Sequence, residues 1–215
     1  MNKLTELDQA YCSSIASSLD ELIKAKERIR QSYSFDLQTT EVSEAILERL
    51  KSFYVSQQGI KKLLNKRYQT AGADFFVETV IFFLQAYINA TECSLEVHSE
   101  RQIVRARNAI RPDISVWQGE NVVAIIECKT QLGWNRSDWE EHFEDRELKL
   151  QAVFPDAHAF LLVITGNNWG GFGQHTQIGK KYFCLLENVW PPEYHSAEQI
   201  LTPVENLFAQ LYKLA

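Results

Sequence analysis

Two carboxylates and a lysine, at the ends of two apolar runs, are the residues of this chain best suited to do chemistry. Arg111-Pro112-Asp113-Ile114-Ser115-Val116-Trp117 is followed by Gln118-Gly119-Glu120-Asn121 and then by Val122-Val123-Ala124-Ile125-Ile126-Glu127-Cys128-Lys129. The pattern reads as a β-hairpin. If Gly119, Glu120 and Asn121 form a three-residue loop, with Asn121 in the left-handed position, Gln118 pairs with Val122 and Asp113 faces Glu127. Their Cβ atoms then lie roughly 4.5–5.5 Å apart. A two-residue loop would put the carboxylates on opposite faces, so the inference depends on the turn. Side chains alternate along a strand, so Glu127 and Lys129 share a face while Cys128 points to the other.

Carboxylates that close repel unless a proton or a hard divalent cation sits between them, and oxygen-only ligation suits Mg²⁺ or Mn²⁺ rather than zinc. Lys129 beside such a cation can orient or deprotonate a water and offset charge building on a phosphoryl group. The chemistry implied is metal-assisted phosphodiester hydrolysis. The competing reading is a surface hairpin in which Lys129 pairs with a carboxylate at little energetic consequence. Against it, the charges lead out of an apolar strand of the kind buried on both faces, where lone charges are costly.

The elements that must position these residues follow from periodicity. Apolar residues Leu4, Leu7, Tyr11, Ile15, Leu19, Leu22 and Ile29 recur at helical spacing, and Val42, Ile46, Phe53, Ile60 and Leu64 mark a second helix that Gly59 can break. Residues 71–89 are apolar enough for a nearly buried helix, on which the core begins. Strand-like runs follow at 95–98, 113–117, 122–129, 160–165 and 182–186. A polar, acidic helix at 136–153 separates the third and fourth strands, and an amphipathic helix is expected over 197–214. The class is α/β: a helical extension at 1–70, serving dimerisation or the flank of a bound duplex, and a core at 71–215.

These residues resemble the PD-(D/E)xK nuclease superfamily: Pro112-Asp113, a hairpin, then an apolar strand ending Glu127-Cys128-Lys129. The resemblance covers roughly 71–186. It implies a restriction-endonuclease-like mixed central sheet flanked by helices, with Asp113, Glu127 and the Cys128 backbone carbonyl as Mg²⁺ ligands, Mn²⁺ substituting. Lys129 would be the catalytic lysine. The family's acidic helix residue maps to Glu78, with Asp74 a substitute. At 100° per residue Asp74, Glu78, Gln85 and Asn89 share a narrow polar edge, which faces either solvent or the metal.

Arg101, Arg105, Arg107 and Arg111 occur with no acidic residue among them. Positions 105 and 107 share a face if the segment is extended. Arginine forks suit phosphate oxygens, so these residues are candidates for the DNA backbone, or else solvated surface arginines. Gln131 continues the face of Lys129 if the strand runs that far. The run 61–67 is a second basic patch, and the glycine-rich loop 166–173, with Trp169, can stack on a base. The acidic helix, including Asp138, Glu140, Glu141, Glu144, Asp145 and Glu147, should repel DNA.

Other chemistries are excluded more firmly. Four scattered cysteines form no C-x-x-C pair, and five histidines show no metal spacing. The glycines do not meet P-loop spacing, and no G-x-S-x-G elbow occurs. The 215 residues, 45% hydrophobic and with a net charge of −6, suit an ordinary globular domain. The start lacks a basic-then-apolar leader and uninterrupted apolar runs are short, far below the roughly 18 residues of a membrane span, so a cytoplasmic location and no membrane helix are expected. The function expected is a Mg²⁺-dependent DNA endonuclease, of restriction or related defence type, as a monomer or homodimer. Alternatives are a non-catalytic nucleic-acid or protein binding module on the same fold, or an RNA-processing or junction-resolving nuclease.

Overall fold

The computed structural model describes residues 3–107, 109–132, 139–167 and 172–215. Arg136 and Asp138, at the expected entry to the acidic helix, and Trp169 of the glycine-rich loop lie outside the described residues. The chain divides into two compact units, Met1–Phe35 and Asp36–Ala215. In the first, α1 (Leu4–Leu7) and α2 (Gln9–Ser32) meet at a bend at Asp8, whose N–H donates to the Leu4 carbonyl at 3.1 Å and whose carbonyl accepts from Cys12 N–H at 3.2 Å. No residue of either helix is buried.

The second unit begins at Asp36 instead of residue 71, because α3 (Glu41–Leu63) is part of its core. Val42, Ile46, Leu47, Leu50 and Tyr54 are buried. The open N–H groups of its first turn are satisfied from far along the chain: Glu205 accepts Val42 N–H at 2.7 Å and Ser43 N–H at 3.0 Å. Gly59 does not break α3, which runs on to Leu63. Next comes α4 (Ala73–Ala90), long and apolar enough to cross a membrane by length and composition, a property the short uninterrupted apolar runs did not reveal. Here Phe76, Val80 and Leu84 are wholly buried in the core.

Strands β1 (Glu96–Ser99), β2 (Ile114–Gln118), β3 (Asn121–Gln131), β4 (His158–Thr165) and β5 (Tyr182–Leu186) form one sheet in that order. The β1/β2 and β2/β3 pairs are antiparallel, and β3/β4 and β4/β5 are parallel. Helix α5 (Trp139–Gln151) makes the crossover from β3 to β4. Its Trp139, Phe143 and Leu150 join Ile125, Leu161, Val163 and Tyr182 in one cluster. The other face of β3, with Ala124, Ile126 and Cys128, is buried as well. The last helix, α6, spans Val204–Tyr212; Pro203 precedes it, so the helix expected from 197 starts later and 197–199 form a separate single turn.

The hairpin differs from expectation in a way that matters. Gln118 pairs with Asn121 and Trp117 with Val122, so the loop is two residues, Gly119 and Glu120. Gly119, at φ +60°, takes the left-handed position assigned above to Asn121. A two-residue loop alone would have put the carboxylates on opposite faces. A bulge corrects it: the register shifts between Val116 and Trp117, leaving Val123 as the extra residue, and Val116, Ser115 and Ile114 then pair with Ala124, Ile125 and Ile126. Extended by one residue, that register brings Asp113 opposite Glu127.

Candidate active site

The site lies where β3 leaves the core, at the carboxyl end of the parallel half of the sheet. Strand β3 is buried through Cys128 and emerges at Lys129. Just before β2, Asp113 turns its carboxylate onto this end: Oδ2 accepts the Cys128 N–H at 2.7 Å and the Lys129 ammonium at 3.0 Å. Lys129 Nζ also lies 3.4 Å from Glu127 Oε2 and 3.2 Å from the Cys128 carbonyl oxygen. Three oxygens, from Asp113, Glu127 and the peptide between Cys128 and Lys129, thus converge on one cationic nitrogen.

The electrostatics are those of two carboxylates and two cations crowded at the end of one strand. The Glu127 side chain is 6% exposed, and burial raises its pKa above the ordinary carboxylate value; Arg146 opposes the rise, Asp113 adds to it and Lys129 offsets part. Burial works against the Lys129 ammonium too, but the charges of Asp113 and Glu127 outweigh it and its pKa is raised. Lys129 is therefore a cation and a donor.

Arg146 is the residue that sequence reasoning missed. It sits on α5, and its Nε lies 2.7 Å from Glu127 Oε1. The contact is a charge pairing and not an aligned hydrogen bond, since both atoms are buried without a hydrogen-bond partner among the described residues. Its Nη2 donates to the Arg111 carbonyl at 2.7 Å, which ties the chain just ahead of Asp113 to α5. A helix dominated by acidic residues hid the one arginine that faces inward.

Two clefts flank these residues, and Lys129 and Gln131 line both. One, of ≈ 330 Å³, is walled by α5 through Trp139, His142, Phe143 and Arg146. The other, of ≈ 630 Å³, is walled by Asp74, Val77, Glu78 and Ile81 of α4 together with Ser99, Glu100 and Asp113. The polar edge of α4 therefore turns toward the site. Glu78 is exposed and lends its charge to Arg49, which lies 3.9 Å over the Phe82 ring. Glu78 lines the same cleft as Asp113, and no group of three His, Cys, Asp or Glu side chains placed to hold a metal ion occurs among the described residues.

The arginines separate. Arg101 is committed, 3.8 Å over the Trp117 ring and 2.8 Å from His98 Nε2. Arg105 and Arg107 are exposed on a series of bends, closed by an Ile103 N–H to Ile110 carbonyl bond of 3.1 Å. That segment is not extended, so the alternation expected to align them does not apply. Arg111 is exposed at the site's edge, and Gln131 is in β3, paired with Thr165.

Two carboxylates and a peptide carbonyl, with neither imidazole nor thiolate, suit a hard oxygen-preferring cation such as Mg²⁺ or Mn²⁺. No protein-family model matches this chain. Nor does any curated protein. Among solved structures, the chain is similar to the native BbvCI A2B2 tetramer, with a TM-score of 0.35 and 11% identity over 90% of this chain and 95% of that one. What the structure establishes is a mixed α/β fold, with a five-stranded mixed sheet and six helices among the described residues.

Proposed function

We propose that this protein is a Mg²⁺-dependent endonuclease with a PD-(D/E)xK site on a restriction-endonuclease-like core, hydrolysing phosphodiester bonds in DNA for restriction or a related defence task. The observation that carries the reading is the convergence of Asp113 Oδ2, Glu127 Oε2 and the Cys128 carbonyl at 3.0, 3.4 and 3.2 Å from one cationic nitrogen. Those oxygens would hold the metal. When bound, Mg²⁺ would supply Lewis acidity and a water of lowered pKa.

The chain's own groups do the rest. Asp113 is fixed by the Cys128 N–H, and Glu127 is held by Arg146 from across the cleft. Lys129, charged and carrying donors, orients a water and offsets charge on the phosphoryl oxygens. Trp139 and Phe143 give the α5 cleft an apolar wall that limits competing solvent. Arg105, Arg107, Arg111 and Gln131 are the backbone-contacting groups, while the α4 wall, with Asp74 and Glu78, favours cations over phosphates.

The test is incubation of supercoiled plasmid and single-stranded DNA with purified protein in Mg²⁺, Mn²⁺ or EDTA, beside Asp113→Ala. Cleavage should require the metal and Asp113. Cleavage that persists in EDTA or in the variant would refute the proposed site.

A further inference from the structure

Helix α2 exposes a long apolar face: Tyr11 is 60%, Ile15 57%, Leu19 61% and Ile23 57% exposed, and Leu4 and Leu7 of α1 extend it at 80% and 67%. With about 100° per residue, Tyr11, Ile15, Leu19, Leu22, Ile23 and Ile29 of α2 fall in one stripe. Three charges lie within it, Arg30, which pairs with Glu27, and Asp8 and Lys26. Asp8 and Lys26 both project from the middle of the stripe, since they are 18 residues, or about five turns, apart. Neither has an ion-pair partner among the described residues, whereas Glu21 pairs with Lys24 and Glu27 with Arg30 inside the helix.

A lone charge in an apolar seam is costly unless the partner supplies its opposite. In a parallel pair of identical helices Asp8 would meet Asp8 and Lys26 would meet Lys26. In an antiparallel pair centred on residue 17, each Asp8 meets the other copy's Lys26. The same register stacks Tyr11 on Ile23, Ile15 on Leu19 and Cys12 on Leu22. We infer that the exposed face of α2 binds α2 of a second copy of this chain, antiparallel, with Asp8 and Lys26 fixing the register. The occupant is named by charge complementarity, and this holds whatever the catalytic activity is.

The full-length protein should sediment at about twice its 24.8 kDa. Lys26→Asp should weaken the dimer by on the order of tenfold or more, and adding Asp8→Lys to that variant should restore it. The register is read by thiols. In the antiparallel pair Cys12 is about 15 Å from its counterpart, too far for a disulfide, but adjacent to position 22. Mild oxidation should therefore leave wild type uncrosslinked and crosslink Leu22→Cys, and removing Cys12 from the latter should abolish the bond. A monomer at all concentrations, a charge swap that fails to rescue, or crosslinking of wild type through Cys12 would each overturn the inference.

Discussion

Arg146 Nε stands 2.7 Å from Glu127 Oε1, while the far side of the same guanidinium donates to the carbonyl of Arg111. One side chain of α5 thus holds both halves of the hairpin: the carboxylate at the end of β3 and the backbone two residues before Asp113. The Glu127 carboxylate is nearly enclosed, so its orientation depends on this cation as much as on Lys129.

Arg146→Ala should leave the fold intact and cost about 1–2 kcal/mol, less than the loss of a fully buried partner because the arginine is 35% exposed. Its larger effect should be on metal affinity, which loses about 10- to 100-fold when a ligand's orienting partner is removed. Chemical denaturation and Mn²⁺ calorimetry on one preparation measure the two separately. Unchanged affinity would reduce Arg146 to a structural contact.

Lys129 occupies the oxygens that would ligate the cation, so lysine and metal compete for them. Lys129→Met should bind Mn²⁺ at least as tightly as wild type while losing DNA cleavage, because the lysine serves water and phosphate and is not a ligand. Complete loss of metal affinity in a folded variant would mean that the lysine's task is to hold the carboxylates together.

The raised pKa of Glu127 makes a signed prediction for the metal-free protein. A carboxylate whose folded pKa lies above its unfolded value contributes nothing below the unfolded pKa and lowers stability as pH rises through both values. Glu127→Gln removes that loss. In EDTA the variant and wild type should have similar stability near pH 4. At pH 7 the variant should be the more stable. Thermal melts across this range decide it, and a variant that is less stable at pH 7 would show that Arg146 and Lys129 over-compensate the burial.

The convergence of Asp113, Glu127 and Lys129 is legible in the sequence, though by a different route from the one the chain takes. The pairing of Asp113 with Glu127 was expected from a three-residue turn. The chain makes a two-residue turn at Gly119 and restores the register with a bulge at Val123, and neither event leaves a distinctive sequence signal, because Val123 is one apolar residue in a run of five. Arg146 was hidden for a compositional reason: periodicity shows which side of a helix is apolar, not which charge folds back toward a strand. The placement of α3 was missed because its buried stripe looks the same whether it packs on the sheet or on a neighbouring helix, and the Glu205 link to its N-terminus spans most of the chain. The late start of α6 is the exception, since Pro203 was there to be read.

Arg105→Ala with Arg107→Ala should weaken DNA binding for all sequences alike and flatten its dependence on salt. Each lost phosphate contact changes the log–log slope by roughly 0.9 for duplex DNA. Binding measured in Ca²⁺, which fills an oxygen site without supporting turnover, is the readout. An unaltered slope would leave both arginines as solvated surface groups.

The central claim is that Asp113, Glu127 and the Cys128 carbonyl form a divalent-cation site, and it can be tested without knowing which DNA the protein cuts. Calorimetric titration of Mn²⁺ into wild type and Asp113→Asn is the direct measurement. Asparagine keeps an oxygen for the Cys128 N–H, so the fold is preserved while the ligand charge is lost. Saturable binding by wild type that drops by tenfold or more in the variant is the predicted result. Wild type that takes up no Mn²⁺, or a variant that binds it equally well, would contradict the account.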